Sequence, residues 1–362
     1  MLVYSVASAI SIMISFIQKR KFIVLLFSCL PLFLVAALRQ FVGTDYAHYY
    51  YAKIPEILAN PYQIEFGFSA LAYFCVSILG DYQWLIAIMA GVTCYCFWDF
   101  IFRYSKNVPL ALLIFLSLGC YYFSLNAMRQ SLAIAVFFYS IKYIEQKDLK
   151  KYLLCILFGF SFHSSALLFI PFFWLSRIRI RIWVVFGVTF FLYVVYPLIS
   201  SFVYSLVLGK YAAYFEWGTK SGFNWRFLLP LIGLIIFDYY FKMERQIYQL
   251  PKNDKMNIIR NLTIYSFWAC NLAPTLTGAS ASRIIYMFLP AAAAYFSYFA
   301  EIKKLYKYVL AIFFTAVFFW TTNEGLGGIL PYHSVFSDYK VSYRQYLYKV
   351  NDADNKVFKR NK

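Results

Sequence analysis

Charge is scarce in this sequence, and acidic charge is the scarcest. Charged residues fill 14% of its 362 positions, with 34 Lys and Arg against 16 Asp and Glu. A soluble domain carries about a quarter charged residues. A chain that is 62% apolar and 23% aromatic would expose large apolar patches in water, so lipid is the solvent that suits it. No Cys-x-x-Cys occurs, and no cysteine pairs with histidine at metal spacing. Cys29, Cys75, Cys94, Cys96, Cys120, Cys155 and Cys270 all lie in apolar stretches, where they read as small polarizable packing residues. Neither a metal nor another cofactor is expected, and cysteine usage says nothing of redox compartment. No internal repeat stands out, which argues against a repeat-built transporter. No basic-aromatic soluble module accompanies the net charge of +18, so nucleic acid is not an expected partner. A cleavable leader is not expected either, because the basic cluster follows the apolar run 2–17 instead of preceding it.

What the chain does have is apolar runs separated by short basic clusters. Candidate spanning helices are 2–17, 22–38, 66–80, 83–102, 108–125, 130–144, 152–162, 164–176, 182–203, 227–241, 258–274, 284–300 and 308–321. The pattern predicts an all-α, polytopic integral membrane protein of about 11–14 transmembrane helices, with some short spans tilted or re-entrant. One membrane domain, 1–350, precedes a short polar tail, 351–362. The clusters Gln18–Lys21, Lys147–Lys151, Arg177–Arg181 and Glu301–Lys307 mark the cytoplasmic side. Parity fails once: helices 66–80 and 83–102 together leave Arg103 on the side of Arg39. A re-entrant 66–80, or a misdrawn boundary, restores it. Segments 39–65, 204–225 and 322–348 are too polar for spans and too aromatic for linkers. They are expected outside, as interfacial helices.

Isolated polar residues carry the functional signal, since an ionisable group at membrane depth is costly. Arg129, in Asn126-Ala127-Met128-Arg129-Gln130-Ser131, and His163, in Phe162-His163-Ser164-Ser165, sit between apolar runs. Arg283 opens an aromatic helix and Arg39 closes the second apolar run. This topology turns all four outward, toward one cavity. Each alone also reads as a snorkelling anchor or a structural histidine. Together, arginines with few lysines among them point to phosphate, which the guanidinium fork binds bidentately.

Several motifs resemble one family. Arg39-Gln40-Phe41-Val42-Gly43-Thr44-Asp45-Tyr46, with Tyr49, is similar to the R-x-x-V-G-T-D-Y-x-x-Y signature of the EpsG family of Wzy-type polysaccharide polymerases. Glu65-Phe66-Gly67-Phe68 with Leu71 resembles its E-P-G-F-x-x-L, with Phe66 in place of proline. Arg129-Gln130-Ser131-Leu132-Ala133 resembles its R-Q-S-L-A segment, and Phe162-His163-Ser164-Ser165-Ala166-Leu167 with Pro171 its F-H-x-S-A-L…P. Arg283 with Tyr286, and Leu330-Pro331-Tyr332, look like weaker late elements. The motifs keep family order over most of the chain.

The resemblance implies a GT-C-like membrane glycosyltransferase in the bacterial cytoplasmic (inner) membrane, with its site facing the periplasm or outside. It implies undecaprenyl-diphosphate-linked repeat units and a growing glycan as substrates, and no nucleotide sugar. A chain-length regulator and a flippase are the implied partners, beside membrane lipid. Breaking a sugar–phosphate bond builds negative charge on the diphosphate; Arg129 and Arg283, with Arg39, are placed to meet it. Asp45, Glu65 and His163 are the candidate bases. Asp45 also reads as a turn residue or as half of an ion pair with Arg39, and Glu65 as a helix cap. Arg39, Tyr46, Tyr49, Gln130, Ser165, Tyr286 and Tyr332 are the expected substrate contacts. Tyr46, Tyr49, Tyr50, Tyr51, Tyr211, Tyr214 and Trp217 read equally as an aromatic belt. Glu216, Lys220 and Arg226 share one outer loop as candidates for repeat-unit specificity. Asp352-Ala353-Asp354 matches a D-x-D metal pattern but lies in the polar tail, as a chance match. An O-antigen ligase, a membrane acyltransferase and a flippase for the lipid-linked oligosaccharide are the alternatives.

Overall fold

A computed structural model describes residues 1–17, 22–61, 64–191, 243–272, 283–302, 304–325, 328–337, 339, 341–342 and 345. The protein is all-helical: among these residues no strand forms, and Arg39 and Ser334 make an isolated antiparallel bridge. The helices are α1 (Leu2–Ser15), α2 (Phe22–Ala37), α3 (Thr44–His48), α4 (Ile54–Ala59), α5 (Phe66–Tyr73), α6 (Tyr82–Tyr104), α7 (Val108–Ser117), α8 (Cys120–Asn126), α9 (Met128–Glu145) and α10 (Leu149–Phe162). A 3₁₀ segment, Ser164–Phe169, follows, then α11 (Phe172–Leu175), α12 (Ile182–Phe190), α13 (Met243–Gln249), α14 (Lys255–Leu272), α15 (Leu289–Phe296), α16 (Phe299–Ile302) and α17 (Lys304–Asn323). π-helical turns at Tyr49–Lys53 and Phe74–Ile78 continue α3 and α5. Among the described residues α6 and α17 are long and apolar enough to cross a membrane, and the bent pair α7–α8 makes a third crossing if counted as one span. With the shorter apolar helices α1 and α2, these define a polytopic membrane protein.

Local chemistry sets the helix ends. Asp81 accepts the Gln83 N–H at 2.8 Å and opens α6; Asn107 accepts from Leu110 at 3.1 Å and opens α7; Asp148 accepts from Lys151 at 3.1 Å and opens α10. Each satisfies an amide that the first turn leaves without an acceptor. The expected span 108–125 is broken by Gly119, whose φ of +79° suits glycine, and α8 leaves α7 at 51°. That bend brings Asn126 and the start of α9 to the same end of the bundle as Tyr46 and Glu65.

Helix α9 runs through the centre, packed against α6 and α10. Its middle is almost entirely buried, from Gln130 to Phe138, and Phe137 stacks on Phe169 at 4.0 Å. Inside the bundle the Trp98 indole N–H donates to the Ser28 hydroxyl at 3.1 Å.

The structure corrects several expected elements. Residues 66–80 do not cross. Phe68, near the start, packs on Tyr49, and Tyr82, just past the end, packs on Tyr46 and Tyr50. The segment therefore starts and finishes at one level. It buries Phe68, Ala72 and Cys75, and exposes Phe66, Tyr73, Phe74 and Ile78, as a helix lying across the bundle end does. This removes the parity conflict: Arg103 lies at the opposite end, where it pairs with Asp99 and where the neighbouring Tyr104 donates to Glu145 at 3.0 Å. Residues 164–176 do join the two ends, from Ser164 beside Glu65 to Ile178 near the Asn253–Glu145 contact, as a 3₁₀ segment and a short helix with Pro171 between them. Segment 39–65 is helical from 44 to 59 but not a free belt, because Tyr46 and Tyr49 are buried. Of segment 322–348, the described residues 328–337 form an irregular strap laced onto residues 38–43. Segments 204–225 and 227–241, the end of 182–203, the tail 351–362 with Asp352 and Asp354, the Cys270 side chain, and Tyr211, Tyr214, Glu216, Trp217, Lys220 and Arg226 lie outside the described residues.

Candidate active site

Four motifs, far apart in sequence, meet at one end of the bundle. Arg129 stands in the first turn of α9, where backbone amides have no intrahelical acceptor and the helix dipole is positive. A cation there is held by Glu65, whose Oε2 accepts from Nη1 at 2.5 Å. Arg129 Nε donates to the Tyr49 hydroxyl at 3.0 Å. Its guanidinium lies 5.3 Å from the Phe68 ring centre, a cation–π distance. Two edges of the fork are thus fixed. Among the described residues Nη2 has no hydrogen-bond partner.

Glu65 joins two motifs at once. It precedes α5 without capping it, which corrects the helix-cap alternative. Its Oε1 instead accepts the Ser164 N–H at 3.0 Å. Burial raises the Glu65 carboxyl, but its own backbone N–H, Arg129, Ser164 and His163 together hold it below the usual carboxylate range. It is an anion at neutral pH with both oxygens engaged.

His163 ends α10 and caps the 3₁₀ segment: Nδ1 accepts the Ser165 N–H at 3.2 Å and lies 2.7 Å from the Ser165 hydroxyl. An Nδ1 that accepts an amide proton places the ring proton of the neutral form on Nε2. Burial chiefly, with the charges of Arg129 and Arg283, presses this imidazole down to about 4 against an upward pull from Glu65. His163 is therefore neutral at pH 7 and presents an Nε2–H donor.

Two glycines make the meeting possible. A Cβ on Gly67 would stand 2.4 Å from the Ser161 hydroxyl oxygen and 2.8 Å from its carbonyl oxygen, so only glycine lets α5 approach α10 just before His163. A Cβ on Gly43, at φ +93°, would stand 2.6 Å from Asn126 Oδ1, just ahead of Arg129. Asp45 follows in the first turn of α3, and its charge acts on His48, Tyr49 and Arg129. Gln130 donates to the Arg283 carbonyl at 3.1 Å, and the exposed Arg283 reaches His163 and Tyr49 electrostatically.

The remaining expected contacts lie elsewhere. Arg39 is 3% exposed and donates to the carbonyls of Ala36, at 2.6 Å, and Leu125, at 3.3 Å. It has no carboxylate contact among the described residues, which corrects the Arg39–Asp45 ion pair. It lines a cavity with Met89, Thr93, Cys94, Leu125 and Met128, and none of Glu65, Arg129 and His163 borders that space. Tyr46 donates to Gln83 Oε1 at 3.3 Å and Tyr332 to the Val35 carbonyl at 3.0 Å. Tyr286 stacks on Phe123 at 4.3 Å and donates to the Leu118 carbonyl at 3.4 Å. Sequence reasoning missed His48, an exposed imidazole beside Tyr49, and quoted Phe68 in a motif without giving it the cation–π contact to Arg129; their spacing within the first two motifs was the available signal. Among the described residues no group of His, Cys, Asp and Glu is arranged to hold a metal ion.

The fold and this cluster define a helical, polytopic membrane protein with an arginine–carboxylate–imidazole site at one end of its bundle. A family model, the EpsG family, matches residues 5–334. The chain belongs to the EpsG family and is a polysaccharide polymerase-like membrane protein. No curated protein and no solved structure matches it.

Proposed function

We propose that this protein joins lipid-diphosphate-linked oligosaccharide units into a surface polysaccharide by glycosyl transfer at the outer face of the bacterial cytoplasmic membrane. One observation carries the reading. Arg129 stands at the amide-rich, dipole-positive start of α9 with Nε and Nη1 fixed and, among the described residues, no partner on Nη2, and the Arg283 backbone is bonded to the next residue, Gln130. Such an arrangement supports an anion site, and in the proposed reaction the charge grows on the leaving diphosphate.

The bond between the sugar anomeric carbon and the diphosphate oxygen breaks, and the acceptor hydroxyl oxygen forms the new glycosidic bond. The electron pair leaves with the diphosphate, toward Arg129 and Arg283. The acceptor proton goes to a carboxylate. In this reading Asp45, in the first turn of α3, is that carboxylate. Glu65 orients Arg129, and the His163 Nε2–H donates to the developing charge. Undecaprenyl diphosphate is the carrier in this reading. A chain-length regulator and a flippase are its proposed partners.

The test uses purified protein in nanodiscs, a synthetic lipid-diphosphate repeat unit and no nucleotide sugar. A ladder of products on a gel, lost in folded Arg129→Ala and Arg283→Ala, supports the reading. Lipid-linked sugar crossing a liposome bilayer with no ladder overturns it in favour of a flippase.

A further inference from the structure

The segment that delivers Asp45 and Tyr49 is not held by regular structure. Residues 38–43 leave α2 irregularly. Phe41 adopts φ +50° and Gly43 φ +93°, and a positive φ at a bulky residue is a backbone state its surroundings must impose. Those surroundings come from the far end of the described chain. The Val335 N–H donates to the Leu38 carbonyl at 2.9 Å, the Gln40 N–H to the His333 carbonyl at 2.9 Å, and the Gly43 N–H to the Gly328 carbonyl at 3.0 Å. Three hydroxyls pin the same layer: Tyr4 donates to the Ile329 carbonyl at 3.1 Å, Tyr332 to Val35 at 3.0 Å, and Tyr51 to Val341. His333 stacks on Tyr339 at 3.6 Å.

The opposite side of the segment rests on the α8–α9 corner. The Arg39 guanidinium ties the last carbonyls of α2 to Leu125, as a cation at helix C-termini does. Gly43 abuts Asn126. The segment is therefore clamped between the 328–341 stretch and the corner from which Arg129 springs.

We infer that residues 328–337, with Tyr339 and Val341, are a positioning strap, which sets the register of residues 38–49 and hence the place of Asp45 and Tyr49 against Arg129. The inference rests on the polymerase reading for its catalytic consequence, but not for its structural one. Tyr4, Tyr51 and Tyr332 act through the strap, not on substrate. Arg39 is then a positioning residue as well.

The experiment frees the strap gently, in the whole protein in nanodiscs. One variant combines Tyr4→Phe, Tyr51→Phe and Tyr332→Phe, which keeps every ring and removes three donors. A second, Val335→Pro, removes one backbone donor and no ring. Hydrogen exchange followed by mass spectrometry reads the peptides around 38–50, 128–135 and 159–168. The expected result is exchange about tenfold faster at 38–50 and unchanged in the other two. In the ladder assay kcat falls about tenfold with KM unchanged, the signature of a group misplaced in the transition state only. Faster exchange within 328–341 with none at 38–50 overturns the inference, because the strap then merely lies on the loop. So does a loosened 38–50 with an unaltered kcat. The exchange measurement needs no substrate, so absence of any ladder in the wild-type protein sinks the polymerase reading while exchange still decides the strap.

Discussion

Arg129 is the side chain on which the candidate site turns, and its geometry makes substitutions unequal. Lysine keeps the charge but has one nitrogen, which cannot reach Tyr49 and Glu65 together and leave a third donor for an anion. Arg129→Lys is expected to lower the polymerisation rate at least about 100-fold, close to Arg129→Ala, while thermal melting changes little. A lysine variant with near-normal turnover would show that charge alone suffices. His163 gives a prediction in pH. Its folded value, about 4, lies below the ordinary value of about 6.5. Between these the unfolded chain binds a proton that the folded chain does not, so stability rises with pH across the window. Wild-type melting temperature should climb from pH 4.5 to pH 6.5 more steeply than that of His163→Gln; parallel curves would remove His163 as the cause. Arg129 and His163 stood out in the sequence as isolated polar residues in an apolar setting, whereas Glu65, in a polar stretch, was picked out only by the resemblance of Glu65-Phe66-Gly67-Phe68 to a family motif. Arg39 was not legible. An arginine that caps carbonyls and one that binds phosphate have the same sequence context, and its partner at Leu125 lies 86 positions away.

At the scale of elements, the close approach of α5 to α10 brings Glu65 to Ser164. Gly67→Ala places a methyl against both the hydroxyl and the carbonyl of Ser161. Overpacking of that kind costs about 1–3 kcal/mol and moves Glu65 off the Ser164 amide. A lowered melting temperature together with weak activity is expected. Adding Ser161→Ala should recover only part of the loss, since the carbonyl contact at 2.8 Å remains. Full recovery would put the conflict in the hydroxyl alone. The helices themselves were largely legible, because apolar runs between basic clusters set their limits. The break at Gly119 was not, and for residues 66–78 charge parity indicated only that they do not cross fully, not how they lie. A helix crossing a membrane and one resting along it differ in which neighbours hold each end, and Tyr49, Tyr50 and Tyr82 are neighbours only after folding. The strap was misread for the same reason: its hydrogen bonds are to residues near the other end of the chain, and no period in the sequence records them.

For the whole molecule, the corrected path of 66–78 predicts a sidedness. Single cysteines replacing Asn60 and Leu79 should be labelled by an impermeant thiol reagent from one face of an oriented vesicle. Cysteines replacing Lys106 and Lys150 should be labelled from the other. In the background, Cys29, Cys75, Cys94, Cys96 and Cys120 are buried. Labelling of Asn60→Cys and Leu79→Cys from opposite faces would restore 66–80 as a crossing and return Arg103 to the side of Arg39.

The tie between Tyr4 and Ile329 spans 325 positions, and that distance is also an order in time. A ribosome releases the Arg39–Asp45 motif into the membrane long before the residues around 328–335 that hydrogen-bond to it. Until residues 328–341 emerge, the carboxylate and the arginine exist in the same chain without their working alignment. The register of the early motif is therefore a product of late-made chain, and its backbone is expected to be the last part of this layer to become protected from exchange.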